Sequence, residues 1–341
     1  MNRSLGRIAL LSTLALALAG CGGGSGATSD AGGSDATAHD ATAHDASGAD
    51  ASMNDAATVD GAIADGSTTG DAATPDAGTP PRIFGGARPA RLVVPSSYDA
   101  ATPMPLVVLL HGYGASAIIQ DGYFNLSRAA RDRGFLLLLP DGTIDSTGKR
   151  YWNATPTCCA FAGTDVDDVA YLRSLITDVK AAYNVDAGRV YLIGHSNGGF
   201  MSYRMACDAG DQITAIISLA GADYVSESAC TPSVGVSVLQ IQGTADLTVA
   251  YGPSAIGPGA VTSVERWAAR DGCDATMPSS GAAIDLDTVL AGAETDVRTY
   301  PVGCEPGLSA ELWTINGGSH IPTMPTTIGG TLYDWLSTHS R

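Results

Sequence analysis

The chain has no excess of basic residues and no zinc-type spacing of its cysteines. Of its 341 residues, 18 are Lys or Arg and 35 are Asp or Glu, which gives a formal net charge of −17. A nucleic-acid-binding protein needs a basic face, so this balance argues against nucleic acid and against anionic polymers as partners. The cysteine spacing likewise argues against a zinc site.

Lysine, arginine and aromatic residues are absent from residues 22–80, which consist mainly of Ala, Gly, Asp, Ser and Thr. Aspartates recur every five residues from Asp30 to Asp65, and this period gathers apolar side chains neither on a helix face nor on a strand face. We therefore expect a disordered linker that its like charges keep extended. Ten of the negative charges are aspartates of this linker, and two positive charges lie before it, which leaves −9 for residues 81–341.

The N-terminal apolar run, Ile8 to Ala19, follows two arginines and is too short to span a bilayer in a mature protein. The sequence Leu18-Ala19-Gly20-Cys21 resembles the cleavage and lipidation site of bacterial lipoproteins. We predict that residues 1–21 are an export signal and that an acylated Cys21 anchors the protein to a membrane outside the cytoplasm. The alternative is plain secretion without the lipid. No second segment has a transmembrane pattern.

Six further cysteines lie in residues 81–341, namely Cys158, Cys159, Cys207, Cys230, Cys273 and Cys304. An even number of cysteines in an exported chain indicates disulfides. Six cysteines allow fifteen pairings, and the sequence spacing does not choose among them.

Residues 81–341 suit one domain with a large core. Their continuous Val, Leu and Ile runs are typical of strands that are buried on both faces. The predicted strands are 91–94, 106–110, 135–139, 190–193, 213–219, 237–241 and 311–315, and the predicted helices are about 116–132, 167–183, 198–208, 261–271 and 326–338. Asp167 and Asp168 suit the start of the second helix. The pattern predicts an α/β fold with a mostly parallel sheet and helices on both faces, whose ligands bind beyond the carboxyl ends of the strands.

The motif G-x-S-x-G occurs at residues 194–198, directly between a predicted strand and a predicted helix. Glycines on either side of Ser196 allow the sharp turn that exposes a serine nucleophile in α/β-hydrolases. The chain has 42 glycines, so the motif alone can arise by chance, and the alternative is an ordinary glycine-rich turn. The residues that follow it decide between these interpretations.

A serine nucleophile needs a base and an acid, which follow in the order Ser, Asp or Glu, His in this fold. His320 follows strand 311–315 and a glycine turn, so we predict it as the base; His339, near the end of the last helix, is expected to be a surface residue. Asp246 follows strand 237–241 and is the predicted acid. Asp223, after the preceding strand, is the alternative.

The oxyanion of an acyl-transfer reaction needs preorganised N–H donors. We predict the backbone amides of Tyr113, just after strand 106–110, and of Asn197, directly after the nucleophile. His111 and His195 are expected to shape turns through their side-chain hydrogen bonds, since neither fits the order required of the base.

These motifs together resemble the feruloyl esterase and poly(3-hydroxybutyrate) depolymerase family of secreted α/β-hydrolases. The resemblance rests on His111-Gly-Tyr-Gly, Tyr151-Trp-Asn-Ala154, Cys158-Cys159, Asp165-Val-Asp-Asp-Val169, residues 186–199, Ala206-Cys207, Gly243-Thr-Ala-Asp246 and Gly317-Gly-Ser-His320. It implies the triad Ser196, Asp246 and His320, a Cys273–Cys304 disulfide, and pairing of Cys158 and Cys159 with Cys207 and Cys230. The family often has Trp-Pro after the histidine, whereas this chain has Ile321-Pro322, which weakens any transfer of substrate specificity.

The segment 141–164 has no strong periodicity, and loops of this length are usually functional or disordered. Held by disulfides, it would form an ordered rim over the site, where Tyr151 and Trp152 offer an aromatic wall; alternatively Trp152 only packs the loop down.

From these features together we expect an extracytoplasmic, monomeric serine esterase without a cofactor, acting on feruloyl or acetyl esters of plant xylan. The alternatives are a poly(3-hydroxybutyrate) depolymerase, a serine peptidase, and a catalytically silent binding module.

Overall fold

The computed structural model describes residues 80–161 and 165–341, so the export signal, Cys21 and the linker up to residue 79 lie outside the described residues. The strands are β1 Ile83–Phe84, β2 Ala90–Val93, β3 Met104–Leu110, β4 Leu136–Leu139, β5 Thr143–Ile144, β6 Arg150–Tyr151, β7 Val185–His195, β8 Ala215–Leu219, β9 Ser237–Gly243, β10 Ser279–Ser280, β11 Thr295–Thr299 and β12 Ala310–Ile315. The α-helices are α1 Ala117–Phe124, α2 Leu126–Arg133, α3 Asp168–Ala182, α4 Asn197–Asp208, α5 Ala260–Arg270 and α6 Ile328–Leu336.

Ten of these strands form one sheet in the order β1-β2-β4-β3-β7-β8-β9-β12-β11-β10, and β5 pairs with β6 alone. Its centre, from β4 to β12, is parallel, whereas the pairs at both margins are antiparallel. Each of the seven predicted strands overlaps a strand of this sheet. The α/β fold with a mostly parallel sheet is therefore confirmed.

The centre of the sheet is buried on both faces, as the apolar runs predict. In β3 the buried Val108 belongs to the same apolar cluster as Leu175 of α3 and Phe200 of α4. Its neighbour Val107 belongs to the opposite cluster, with residues of α1 and α6. Successive side chains of a strand point to opposite faces, so helices must cover both sides to keep such a strand dry. Each fully buried Val or Leu contributes about 1.5–3 kcal/mol to folding.

Helix boundaries follow local chemistry. The Asp167 carboxylate accepts a hydrogen bond from the Ala170 amide at 2.8 Å and so caps α3, as predicted. The predicted helix 116–132 is divided into α1 and α2 at Asn125, whose φ of 53° is left-handed. Asparagine tolerates this conformation better than most residues. No α-helix in the described part of the chain is both long and apolar enough to cross a bilayer.

Two of the three disulfides pair differently from the expectation. Cys273 pairs with Cys304, as the resemblance implies. The expectation that Cys158 and Cys159 pair with Cys207 and Cys230 is wrong, because Cys158 bonds to Cys159 and Cys207 bonds to Cys230. The end of α4 and the segment before Cys230 bring the Cα atoms of Cys207 and Cys230 within 5.6 Å, which is ordinary disulfide spacing.

Candidate active site

Ser196 occupies a sharp turn between the end of β7 and the start of α4. Its φ of 53° and ψ of −120° are strained for a residue with a Cβ atom. The flanking glycines are required by close backbone contacts. A Cβ on Gly194 would lie 2.1 Å from the Gly198 carbonyl oxygen, and a Cβ on Gly198 would lie 2.1 Å from that of Leu110. The turn therefore holds the serine hydroxyl at the carboxyl edge of the sheet.

The structure brings together the three side chains that the sequence order singles out. Ser196 Oγ lies 3.0 Å from Nε2 of His320, and Nδ1 of His320 lies 2.8 Å from Oδ2 of Asp246. With Nδ1–H donating to the carboxylate, Nε2 is left to accept the serine proton. These distances are those of a nucleophile, a base and an orienting acid.

Four hydrogen bonds fix the Asp246 carboxylate. Oδ1 accepts from the amides of Thr248 and Val249, both at 2.8 Å, and Oδ2 accepts from Nε2 of Gln242 at 2.9 Å as well as from His320. Burial alone would raise the pKa of Asp246, but the hydrogen bonds from His320 and from the two amides outweigh it and lower the pKa. The group is therefore ionised at neutral pH and can stabilise a charged imidazole.

The two alternative residues lie elsewhere. The buried Asp223 forms an ion pair with Arg270 of α5, with 2.8 Å between Oδ2 and Nη1. His339 is only 5% exposed, so the expectation of a surface histidine is wrong. Its Nε2 lies 2.7 Å from Ser309 Oγ, because the segment after α6 packs back onto the sheet, where Tyr191 donates to its carbonyl.

The predicted oxyanion donors lie on either side of the serine. A Cβ on Gly112, next to Tyr113, would be 3.5 Å from the Ser196 Cβ, so the turn after β3 packs against the nucleophile. Within the described residues, neither the Tyr113 amide nor the Asn197 amide donates to a protein acceptor. Both are thus available for an oxygen atom bound at the serine.

Trp152 and Tyr151 do not form the substrate wall that the sequence suggested, because their side chains are 0% and 1% exposed. The Asn197 side chain accepts from the Trp152 amide at 2.7 Å and donates to the Trp152 carbonyl at 2.9 Å. The Trp152 indole in turn donates to the His111 carbonyl at 3.1 Å. These residues join the segment after β6 to the two turns that carry the oxyanion donors, a role that the local sequence does not reveal.

His111 holds the turn after β3, as expected. Its Nδ1 lies 2.8 Å from the Gly112 carbonyl oxygen, and its Nε2 accepts from the Gly142 amide at 2.9 Å. Burial lowers the pKa of His111, so the ring is neutral. The rim segment is therefore held by hydrogen bonds and by the β5–β6 hairpin rather than by disulfides to other elements.

A cavity of about 230 Å³ opens at the serine. Its walls are largely apolar and include Tyr113, Ile119, Tyr123, His195, Ser196, His320 and Ile321. Ile119 and Ile321 are 66% and 61% exposed, so they stand at the rim. Such a chamber suits the apolar part of a small substrate.

Two further side chains, His195 and Tyr123, hold the loop that carries His320. The sequence did not predict that they contact this loop. His195 Nε2 lies 3.0 Å from the carbonyl oxygen of His320, and the Tyr123 hydroxyl donates to the carbonyl of Pro322 at 2.7 Å. Burial lowers the pKa of His195 to about 4, so the ring is neutral near pH 7 and its Nε2–H is the donor. Tyr123 lies inside a predicted helix, where nothing in its spacing distinguishes it from core residues.

The described residues contain no group of three or more His, Cys, Asp or Glu side chains that could hold a metal ion.

The chain is similar to a family of esterases and to individual feruloyl esterases. Residues 91–256 match the family model described as Esterase PHB depolymerase. The chain is 27% identical to feruloyl esterase B of Piromyces equi over 238 residues, 66% of this chain but only 41% of that protein's length. It is 25% identical to feruloyl esterase D of Neurospora crassa over 255 residues, 71% of this chain and 76% of that protein.

Among solved structures, an acetyl xylan esterase from Aspergillus awamori superposes with a TM-score of 0.56 at 14% identity, covering 78% of this chain and 98% of that one. At this identity the likeness concerns the fold, which is that of the α/β-hydrolases.

Proposed function

Because this chain belongs to the Esterase PHB depolymerase family, as the resemblance of its motifs implied, we propose that it is a serine carboxylic-ester hydrolase. One observation carries the proposal: the continuous hydrogen-bonded row from Ser196 through His320 to Asp246, which ends at the wall of an apolar cavity. A catalytically silent binding module has no need of an ionised acid, an oriented imidazole and a strained serine in one line.

In this proposal Ser196 Oγ attacks the ester carbonyl while Nε2 of His320 takes the serine proton. The carbonyl oxygen becomes an oxyanion that accepts from the Tyr113 and Asn197 amides. His320 gives its proton to the leaving alcohol, and Asp246 stabilises the imidazolium. Water, deprotonated by His320, then hydrolyses the acyl-enzyme and restores the serine. The reaction needs no cofactor.

Feruloyl and acetyl esters of plant xylan are the first proposed substrates. The curated relatives named above support a feruloyl ester, and a cavity of about 230 Å³ with tyrosine and isoleucine walls supports an aryl or short acyl group. The description of the matching family favours poly(3-hydroxybutyrate) or its oligomers as the second candidate.

We propose that the protein lies outside the cytoplasm and that an acylated Cys21 anchors it to a membrane. Three disulfides support an oxidising compartment. Cys21→Ser is expected to release the protein from the membrane fraction, whereas unchanged fractionation would rule out the lipid anchor. We propose that the enzyme acts as a monomer.

The test uses the full chain and five substrates: p-nitrophenyl acetate, p-nitrophenyl butyrate, methyl ferulate, a peptide anilide and a poly(3-hydroxybutyrate) film. Ser196→Ala is the catalytic control, and Ser174→Ala, at an exposed serine of α3, is the matched neutral control. We expect ester hydrolysis that Ser196→Ala abolishes and Ser174→Ala retains. Hydrolysis of the anilide alone would indicate a peptidase, and no hydrolysis of any substrate would indicate a binding module.

A further inference from the structure

A second cavity, of about 500 Å³, is lined in part by the residues directly after β9 and β12 and differs from the first in chemistry. Most of its lining side chains are polar, namely Thr244, Tyr251, Ser280, Asp296, Arg298, Thr314 and Asn316. The proposed reaction assigns a role to none of them, and only Thr244 lies within one of the motifs that carry the family resemblance.

The register of the sheet gathers these groups on one face. Asp296 of β11 pairs with Thr314 of β12, and Arg298 of β11 pairs with Ser280 of β10. Directly paired residues project to the same side of a sheet, and so do residues two apart along a strand. The four polar side chains of these two pairs therefore share one face at the margin of the sheet. A sheet face that a helix covers would carry apolar side chains instead.

Hydrogen bonds hold the polar lining in fixed positions. The hydroxyls of Tyr251 and Thr314 lie 2.9 Å apart, and the Asn316 amide donates to Asp296 Oδ2 at 2.9 Å. The Gly317 amide donates to the Thr244 hydroxyl at 2.8 Å. Hydroxyl and carboxylate oxygens retain further lone pairs, so these five side chains can bind a ligand without rearranging.

The same two loops carry this cavity and the proposed catalytic pair. Thr244 precedes Asp246 by two residues, and Asn316 precedes His320 by four. At a maximum of about 3.5 Å per residue, the Cα of Asn316 lies within about 14 Å of the Cα of His320. Because Nε2 of His320 lies 3.0 Å from Ser196 Oγ, a ligand several sugar rings long is of a size to reach from the polar cavity to an ester at Ser196.

The charge pattern selects the ligand class. Asp296 and Arg298 have opposite signs and the other lining groups are neutral, so the cavity attracts neither polyanions nor polycations as such. Mixed donors and acceptors with little apolar surface suit a neutral, polyhydroxylated ligand. We propose that this cavity is a saccharide subsite, which holds the sugar that carries the ester while the acyl group enters the apolar cavity. The inference rests on the proposed esterase function and favours carbohydrate esters over a polyester.

Binding is tested on the full chain carrying Ser196→Ala, by calorimetric titration with xylotetraose. We expect saturable binding that Arg298→Ala weakens by about tenfold, the loss expected for one hydrogen bond to a charged group. Ser280→Trp, at an exposed edge position, should block the cavity without disturbing the core. Arg128→Ala changes a different polar cavity, of about 200 Å³, and should leave xylotetraose binding as it was. Absent binding, or equal loss in the Arg128 and Arg298 variants, would overturn the proposal.

Kinetics separate the failure of this inference from the failure of the proposed function. The measured quantity is kcat/KM for a ferulate ester carried on xylotriose, divided by kcat/KM for methyl ferulate. We expect Arg298→Ala and Ser280→Trp to lower this ratio by about tenfold, and Arg128→Ala to retain it. If both esters are hydrolysed but the ratio is unchanged in the cavity variants, the saccharide subsite is wrong and the esterase stands. If neither ester is hydrolysed, the proposed function fails.

Discussion

Nε2 of His195 lies 3.0 Å from the backbone carbonyl oxygen of His320, so the residue before the proposed nucleophile holds the residue proposed as its base. The two imidazole rings are 5.2 Å apart. The Tyr123 ring lies 5.6 Å from that of His195, and its hydroxyl holds the Pro322 carbonyl in the same loop. The position of His320 relative to Ser196 is therefore supported by two side chains that have no proposed part in the chemical steps.

His195→Leu removes this donor and is expected to lower kcat by about 10- to 100-fold with little change in KM, because a small displacement of the base misaligns proton transfer. His195→Gln keeps an N–H donor and should restore most of the activity. Steady-state kinetics on p-nitrophenyl butyrate, with thermal unfolding recorded in parallel, measure both variants. Equal activity in the two variants would show that the hydrogen bond does not position His320.

Asp246→Asn should lower kcat by about 10⁴-fold at neutral pH, since an amide neither orients the required tautomer nor stabilises the imidazolium. Asp223→Asn is the matched control, because Asp223 is equally buried but pairs with Arg270. It should destabilise the fold and leave the kcat of the folded fraction within a few-fold of wild type. The kcat values of the two variants are measured in stopped assays and divided by the concentration of folded protein. A larger loss of kcat in Asp223→Asn than in Asp246→Asn would show that Asp223, not Asp246, is the acid.

Asp271 should make stability fall as pH rises. Oδ1 accepts from the Val236 amide at 3.1 Å, Oδ2 lacks a partner among the described residues, and burial raises the pKa to about 8. Between the unfolded value of about 4 and pH 8 the folded state keeps a proton that the unfolded state has lost. The unfolding free energy from this group then decreases by up to about 1.4 kcal/mol per pH unit, and the stabilisation is complete only below pH 4.

Asp271→Asn should flatten this dependence in urea unfolding at pH 5, 6, 7 and 8. Asp285→Asn, at an exposed position, should reproduce the wild-type slope. An unchanged slope in the Asp271 variant would mean that the carboxyl group is ionised throughout.

The central elements of the fold could be predicted because they satisfy local rules. β3 and β4 are unbroken apolar runs, β8 is apolar except for Ser218, and Asp167 lies where a helix needs a cap. β10 and β11 were not predicted: β10 is only two residues long, and β11 has the sequence Thr-Asp-Val-Arg-Thr, in which Asp296 and Arg298 line the polar cavity. Their pairing depends on β12, which a local pattern does not include.

Some features of the candidate site could likewise be predicted from the sequence, and others could not. The order of Ser196, Asp246 and His320 could be predicted, because each follows a strand of the same parallel sheet and strand ends meet at one edge. The burial of Trp152 and the Cys158–Cys159 bond could not, since both depend on how the segment after β6 packs against Asn197. Gln242 did carry a signal: a glutamine inside a buried strand must find a partner, and it donates to Asp246.

The most direct test of the central proposal is covalent labelling of the full chain with diethyl p-nitrophenyl phosphate, followed by mass spectrometry of its peptides. We predict one phosphoryl group per chain, located on Ser196, with esterase activity lost in proportion to labelling, and neither labelling nor activity in Ser196→Ala. Label on another residue, or ester hydrolysis that survives complete labelling or the Ser196→Ala substitution, would contradict the assignment of Ser196 as the nucleophile.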